Sequence, residues 1–186
     1  MKTALSDKEL YEAFLAGDHA SFDALMSKYR VHLIGFIQSY VRNLEVAEDL
    51  AQDVFVNLLI KRKKYDFKYS MKTYLFTIAR SRAINYLKKE KPISLEEYHI
   101  AEQDLYENSI EEGFIAKERD AILYNAIQKL CEKQRVAVYL ADLEGLSNKE
   151  VGKALGKSVS ETKMILYRAR KNLKKLLEQE GFTNER

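Results

Sequence analysis

Two serine–glutamate pairs flank a glycine in the C-terminal third of the chain. No other feature restricts the local fold so tightly. Ser147 stands three residues before Glu150 and Ser158 three before Glu161, with Gly156 between them. At that spacing a serine hydroxyl accepts from a free backbone N–H of a helix's first turn, and the carboxylate reaches back to the serine N–H. Leu146 and Val151 bracket the first box at staple spacing. Gly156 suits the left-handed conformation that closes one helix, and the short Gly156-Lys157-Ser158 turn sets the next helix across it. The expectation is a helix-turn-helix. In its second helix Thr162, Leu166, Ala169 and Leu173 recur at steps of four, three and four, forming one inward stripe. Lys163, Arg168, Arg170 and Lys171 are left outward, a face that fits the DNA major groove. A helical hairpin with a solvated basic face uses the same residues. Ser94 and Glu97 also have the box spacing, in a stretch without helical pattern. The motif by itself leaves a repressor, a response-regulator output domain and a polymerase subunit open.

The rest of the chain reads as all-α. Its 186 residues include seven glycines and one proline, Pro92. Lys, Glu, Leu, Ala and Tyr dominate, with little Val-Ile-Thr alternation. There is no apolar run of membrane-spanning length and no signal-peptide core at the N-terminus. Cys131 is alone, which excludes an internal disulfide and a cysteine-based metal site. A soluble cytoplasmic protein is expected. Charge is distributed in three blocks. Residues 1–91 carry 16 basic and 11 acidic side chains, residues 92–116 none and 7, and residues 117–186 15 and 10. Two basic segments suited to a polyanion thus flank an acidic one. The expected division is a helical domain over 1–91, an acidic linker over 92–116 and a helix-turn-helix domain over 117–181. Fully extended, such a linker reaches roughly 80–90 Å, so the domains could engage sites several tens of ångströms apart.

Along the first domain, Ser6 and Glu9 form a capping box for a short helix through Leu10, Phe14 and Leu15. Asp18 caps a longer one with Phe22, Leu25, Met26, Tyr29, Leu33, Phe36, Ile37 and Tyr40 inward. A third buries Val46, Ala47, Leu50, Val54, Leu58 and Leu59, and shows Glu48, Asp49, Gln52, Asp53 and Asn57 outward. A fourth, from about Met71 to Lys89, turns Tyr74, Leu75, Ile78, Ala79, Ile84 and Leu87 inward and leaves Arg80, Arg82, Asn85, Lys88 and Lys89 outside. In the second domain, Ile122, Leu123, Ala126, Ile127 and Leu130 mark one helix, and Val136, Val138, Tyr139 and Leu140 another, stopped by Gly145.

Two constellations bear on chemistry. Lys61, Arg62, Lys63, Lys64, Lys68 and Lys72 alternate with Tyr65, Phe67 and Tyr69, with Tyr74 following. Cations track a single-stranded backbone while rings stack its bases. The plain alternative is a soluble loop next to core aromatics, and the pattern divides evenly between the two. Glu48, Asp49 and Asp53 put carboxylates one helical turn apart beside Gln52 and Phe55. A solvated acidic face and a protein interface both fit. His19, His32 and His99 are scattered without ligand spacing, and no phosphate loop or nucleophile motif occurs, so neither an enzyme nor a metal or cofactor site is expected.

Taken together, these residues resemble an RNA polymerase sigma factor of the extracytoplasmic-function group of the sigma-70 family. The stretch 47–59 is similar to sigma region 2.2, 72–87 to regions 2.3 and 2.4, and Gln134-Arg135, 142–147 and 167–170 to region 4. The resemblance implies a sigma region 2 helical bundle and a sigma region 4 helix-turn-helix domain. It implies a factor that binds core RNA polymerase, at the β′ clamp and β flap, and directs it to −10 and −35 promoter elements while helping to open the DNA. Core polymerase would be met by Glu48, Asp49, Gln52, Asp53 and Phe55. The −10 DNA would be bound and melted by Lys61, Arg62, Lys63, Lys64, Tyr65, Phe67, Lys68, Tyr69, Lys72, Tyr74, Arg80, Arg82, Asn85, Lys88 and Lys89. The −35 element would be met by Lys157, Ser158, Ser160, Glu161, Lys163, Met164, Tyr167, Arg168 and Lys171. An anti-sigma factor is a further implied partner; membrane insertion and a small-molecule substrate are not implied. The chain departs from the family pattern at Tyr74, Cys131, Gly152, Thr162 and Ile165, where tryptophan, proline, alanine, valine and a basic residue are usual. The acidic linker suits a positively charged channel of the polymerase. The competing class is a ligand-responsive helix-turn-helix regulator with an N-terminal helical sensor domain.

Overall fold

The computed structural model describes residues 5–62, 65, 67–90 and 116–180, and every regular element among them is helical. The N-terminal unit holds α1 (Asp7–Leu15), α2 (His19–Val41), α3 (Leu44–Ile60) and α4 (Met71–Glu90). The C-terminal unit holds α5 (Ala116–Gln128), α6 (Glu132–Val138), α7 (Asn148–Leu155) and α8 (Val159–Gln179). α6 runs directly into a π-helical turn, Tyr139–Leu143. The acidic stretch, apart from Ala116, lies outside the described residues, as does the end of the second domain at Gly181.

Short polar side chains set the helix starts. The Ser6 box is formed, with the Glu9 carboxylate accepting the Ser6 N–H at 2.8 Å. Asp18 accepts the Ala20 N–H at 3.1 Å, Asn43 the Val46 N–H at 3.1 Å, and Ser70 the Thr73 N–H at 3.2 Å. Each thereby satisfies a first-turn donor that has no partner inside the helix.

α2 is the axis of the N-terminal unit and lies against α1, α3 and α4. Its expected inward set is buried from Phe22 to Tyr40, with Met26 half-buried. Around it the interior is largely aromatic: Phe14 stacks near Phe22 at 4.8 Å, and Phe36 meets Phe76 at 4.9 Å and Tyr40 at 5.4 Å. Burial pushes the Tyr11 phenol up to about 12 and raises Tyr29, where a hydrogen bond to Asp7 adds to the effect. Both groups stay protonated donors at neutral pH.

α4 differs from its expected single stripe. Met71, Leu75, Phe76, Ala79 and Ala83 are buried, while Tyr74, Ile78, Ile84 and Leu87 are half-buried. The reason is that α4 is covered twice. α2 and α3 take one side, and α7 of the C-terminal unit takes another. The two units therefore share one hydrophobic cluster, to which Val136, Leu140, Leu146, Val151, Leu155 and Leu166 contribute from the C-terminal side. A smaller cluster of Leu130, Val138 and Ala169 holds α8 onto α6.

Candidate nucleic-acid and polymerase interfaces

The helix-turn-helix is built as its capping residues require. Ser147 and Ser158 each cap a helix, and Glu150 and Glu161 each accept back from the serine N–H, at 3.1 and 2.9 Å. Leu146 and Val151 are both buried, as a staple demands. Gly156 closes α7 at φ 65°, and only glycine adopts this conformation without a steric penalty. Gly152 is needed for a different reason. A Cβ there would fall 2.8 Å from the Lys157 carbonyl and 3.0 Å from the Thr162 hydroxyl. That hydroxyl donates to the Ser158 carbonyl at 2.8 Å. Two of the departures from the family pattern, Gly152 and Thr162, thus meet in one contact where α7 crosses α8.

The inward stripe of α8 buries Thr162, Leu166 and Ala169. Its outer face carries every residue assigned to the upstream element. Lys157, Ser158, Ser160, Glu161, Lys163, Met164, Tyr167, Arg168 and Lys171 are all exposed. Tyr167 at 66% and Met164 at 52% are too open to be core residues. Lys163, Tyr167, Lys171 and Lys174 line a cleft of about 550 Å³ along this face. Arg170 is committed elsewhere. Its guanidinium holds Asp142 through two hydrogen bonds, at 2.6 and 3.1 Å, which raises its pKa further and braces α8 against the π-helical turn.

The loop and helix assigned to the −10 element are less uniform. Lys61, Arg62, Lys68, Asn85, Lys88 and Lys89 are exposed; Lys63 and Lys64 lie outside the described residues. Tyr65 contradicts its expected role as a stacking platform. It is buried, its hydroxyl donates to the Tyr69 carbonyl at 2.7 Å, and its ring packs against Tyr11, Phe67 and Tyr74 at 4.7–5.2 Å. Aromatic neighbours on three sides outcompete water for that ring. Tyr74 is half-buried behind it. Phe67 is exposed and Tyr69 half-buried, with Lys8 Nζ 5.7 Å and Lys153 Nζ 5.0 Å from their ring centroids. Phe67 is held at φ 58°, a strained conformation for a bulky side chain and one that clusters at functional positions. Arg82 pairs with Asp53 at 3.5 Å, and Arg80 shares a crevice with Tyr40, Lys157 and Ile165 between the units.

On α3, Asp49, Gln52 and Asp53 are exposed and Glu48 is half-buried. Phe55 is a second correction: it is 3% exposed and belongs to the core that α3 shares with α2 and α4. Leu59 departs in the opposite sense and is 42% exposed, as are Val56 at 50% and Ile60 at 74%. Asp49, Asp53, Val56 and Ile60 follow at steps of four, three and four and make one outward stripe, acidic first and apolar after. Apolar side chains are thus left in water beside charged ones on this side of α3.

Sequence reasoning missed the contacts between the units. Glu144 is inserted against the N-terminal unit with its side chain 3% exposed, Lys72 Nζ 2.8 Å from Oε2 and His32 Nδ1 2.8 Å from Oε1. Glu150, read only as a cap, also accepts from Ser70 at 2.8 Å and Thr73 at 3.1 Å. Arg135 is 1% exposed and donates to the carbonyls of Ser39, Gln128 and Leu130, joining α2 to the end of α5. Gly35 lets Tyr139 approach α2 so that its hydroxyl donates to the His32 carbonyl at 3.1 Å. None of these contacts has a periodic signature; all depend on which helix faces which.

Among known proteins, a family model described as Sigma-70 region 2 matches residues 25–93, and one described as Sigma-70, region 4 matches residues 120–173. The chain is 27% identical over 187 residues to the RNA polymerase sigma-H factor of Pseudomonas aeruginosa, covering 96% of this chain and 97% of that one. It is 26% identical over 183 residues to the ECF RNA polymerase sigma-E factor of Haemophilus influenzae, covering 91% and 94%. Among solved structures, CnrH in complex with the cytosolic domain of CnrY matches with TM-score 0.67 at 21% identity, covering 93% of this chain and 97% of that one. The sigma factor RpoE in complex with the anti-sigma factor NepR, from Bartonella quintana, matches with TM-score 0.66 at 23% identity, covering 84% and 96%. At these identities the two structures establish the fold.

Proposed function

The chain belongs to the extracytoplasmic-function group of the sigma-70 family and is a promoter-directing transcription initiation factor, and from that premise we propose which of its surfaces meet which partner. Residues 1–91 act as region 2, 92–116 as the connector and 117–181 as region 4. The outward stripe of α3, with Asp49, Gln52 and Asp53 leading into Val56 and Ile60, docks on core polymerase. Phe67, Lys68, Tyr69 and Lys72, with the basic side of α4, receive opened DNA. The outer face of α8 takes the upstream element in duplex form. The factor acts by binding, and the polymerase supplies the chemistry. An anti-sigma protein is its inhibitory partner.

The observation that carries this assignment is the α3 stripe. A sensor domain needs an internal cavity for its ligand, whereas the N-terminal unit fills its interior with rings and presents acids and apolar side chains on its surface. The test is assembly and run-off transcription with core polymerase. Asp49→Lys combined with Asp53→Lys should abolish assembly while helix content stays unchanged, since exposed charges rarely alter stability by more than ~0.5 kcal/mol. Full assembly by the double variant would remove α3 from the interface.

A further inference from the structure

The stretch between α3 and α4 is pinned near both ends by tyrosine hydroxyls, and one of the two comes from α1. Tyr65 donates to the Tyr69 carbonyl at 2.7 Å, just before α4 begins. Tyr11, 51 positions away in sequence, donates to the Arg62 carbonyl, one residue past the cap of α3 at Lys61. A carbonyl beyond the last turn of a helix has no partner within it, so this phenol fixes where the chain leaves α3. Burial pushes the Tyr11 phenol up to about 12, and it keeps the proton that the bond needs. The two tyrosine rings meet edge to face, 5.2 Å apart at 89°. Phe67 packs on both, 4.7 Å from Tyr65 and 5.9 Å from Tyr11, and Lys8 of α1 stands 5.7 Å from its centroid. Its backbone is left-handed at φ 58°, which a bulky side chain keeps when its surroundings over-determine it. Its ring is still 36% exposed, whereas Tyr11 is wholly buried and cannot itself touch a base.

We infer that α1 belongs to the strand-capture apparatus, with Tyr11 as a positioning residue whose hydroxyl and ring hold Phe67 in the conformation that presents its face to an unstacked base. The inference rests on the functional reading above, in which Phe67 receives opened DNA. No residue of α1 is among those assigned to DNA by sequence, because Tyr11 acts through Phe67 and through the backbone of Arg62. Capture scales with the fraction of molecules whose ring is in place, since the apparent dissociation constant rises by the inverse of that fraction. One net hydrogen bond shifts such a balance about fivefold. The loss on removing the Tyr11 hydroxyl cannot exceed the loss on removing the Phe67 ring.

Tyr11→Phe removes the hydroxyl and keeps the ring, so the packing of α1 survives. Its effect is read in two ways. The chain has no tryptophan, so Phe67→Trp places a single indole at the capture position. The fluorescence anisotropy of that indole in the free full-length protein reports how firmly the ring is held, with and without Tyr11→Phe. Opening is read with holoenzyme, on a linear promoter fragment from which the parent gives run-off product. The rate at which thymines near the start site become permanganate-reactive is compared for Tyr11→Phe, Phe67→Ala and the two combined, a double-mutant cycle. Closed-complex binding to the same fragment, which relies on α8, separates loss of capture from loss of folded protein.

The expected result is a lower indole anisotropy once Tyr11→Phe is added. Opening should slow about fivefold in Tyr11→Phe and at least about fivefold in Phe67→Ala, the lower end for one stacked base. The combined variant should be no slower than Phe67→Ala alone, and closed-complex binding should be unchanged throughout. An unchanged anisotropy overturns the inference, as does a Tyr11→Phe holoenzyme that opens DNA like the parent while Phe67→Ala is impaired. Losses that multiply in the combined variant would show Tyr11 acting apart from Phe67, and an equal loss of closed complex would reduce the hydroxyl to a support of the fold; either result overturns it too. A Phe67→Ala holoenzyme that opens DNA as the parent does would instead sink the functional reading of this loop, and the role of Tyr11 with it.

Discussion

The outer face of α8 and the surface leading into α4 are both assigned to DNA, yet they are built in opposite ways. On α8 the assigned residues are all exposed, the helix is fixed by its caps and one inward stripe, and of these residues Lys157 borders the crevice between the units. At α4 the assigned stretch mixes core rings with open ones, and the chain's own C-terminal unit lies over part of it. A duplex reader has to present a rigid face, and a single helix supplies that. A surface for unstacked bases needs exposed rings and cations, which are hazardous when left uncovered. Here they are braced from behind by Tyr65 and covered from in front by α7.

The strongest way to break this contrast is to remove the brace. Tyr65→Ala deletes a buried ring packed against three others, so it should cost about 3–5 kcal/mol in urea unfolding, as large aromatic truncations do. Tyr69→Ala should cost far less and instead reduce open-complex formation, seen as loss of permanganate-reactive thymines near the start site. If the two variants unfolded at the same denaturant concentration, the division between bracing and open rings would be wrong.

How far the sequence reveals each surface follows the same contrast. The boxes at Ser147 and Ser158, the glycine turn and the stripe from Thr162 to Leu173 are local, and local spacing dictates them. At α4 the outcome depends on what packs from a distance. Phe55 lies in a Val-Phe-Val run of which Val54 is buried and Val56 exposed, and Tyr65 follows a basic run, so pattern alone could not separate core from surface. Glu150 satisfies a cap and a docking contact with one carboxylate, and only the first has a sequence signature. Arg135 and Glu144 read as surface charges until α2 is placed beside them.

A second test sharpens the α8 side. Arg168→Ala with Lys171→Ala should weaken duplex binding and lower the salt slope by about one unit per lost phosphate contact, about two in all. Stability should stay within ~0.5 kcal/mol of the parent, because both residues are exposed. An unchanged slope would mean that another face of the helix reads the DNA.

The two boxes of the helix-turn-helix provide the finest comparison, because one lies inside the contact between the units and the other in solvent. Glu150 and Glu161 both stand below the ordinary glutamate value of 4.5, but the balance differs. For Glu150 the largest influence is burial, which pushes it up, and hydrogen bonds from Ser147, Ser70 and Thr73 together outweigh it. For Glu161 the backbone and hydroxyl of Ser158 dominate, with Lys157 assisting. A carboxyl whose folded pKa is depressed contributes stability above its unfolded value and loses it as pH falls through the folded one. Glu150→Gln should therefore lower the thermal midpoint relative to the parent at about pH 6, and the gap should close as pH drops below 4.5. Asp7, Lys28, His32, Lys72 and Glu144 line the same cleft in parent and variant alike, so the difference between the two curves reports on Glu150. Glu161→Gln should narrow its own gap in the same direction but start from a smaller one at about pH 6, since Glu161 caps α8 without touching the N-terminal unit. Equal gaps for the two substitutions at about pH 6 would show that Glu150 is a cap and nothing more.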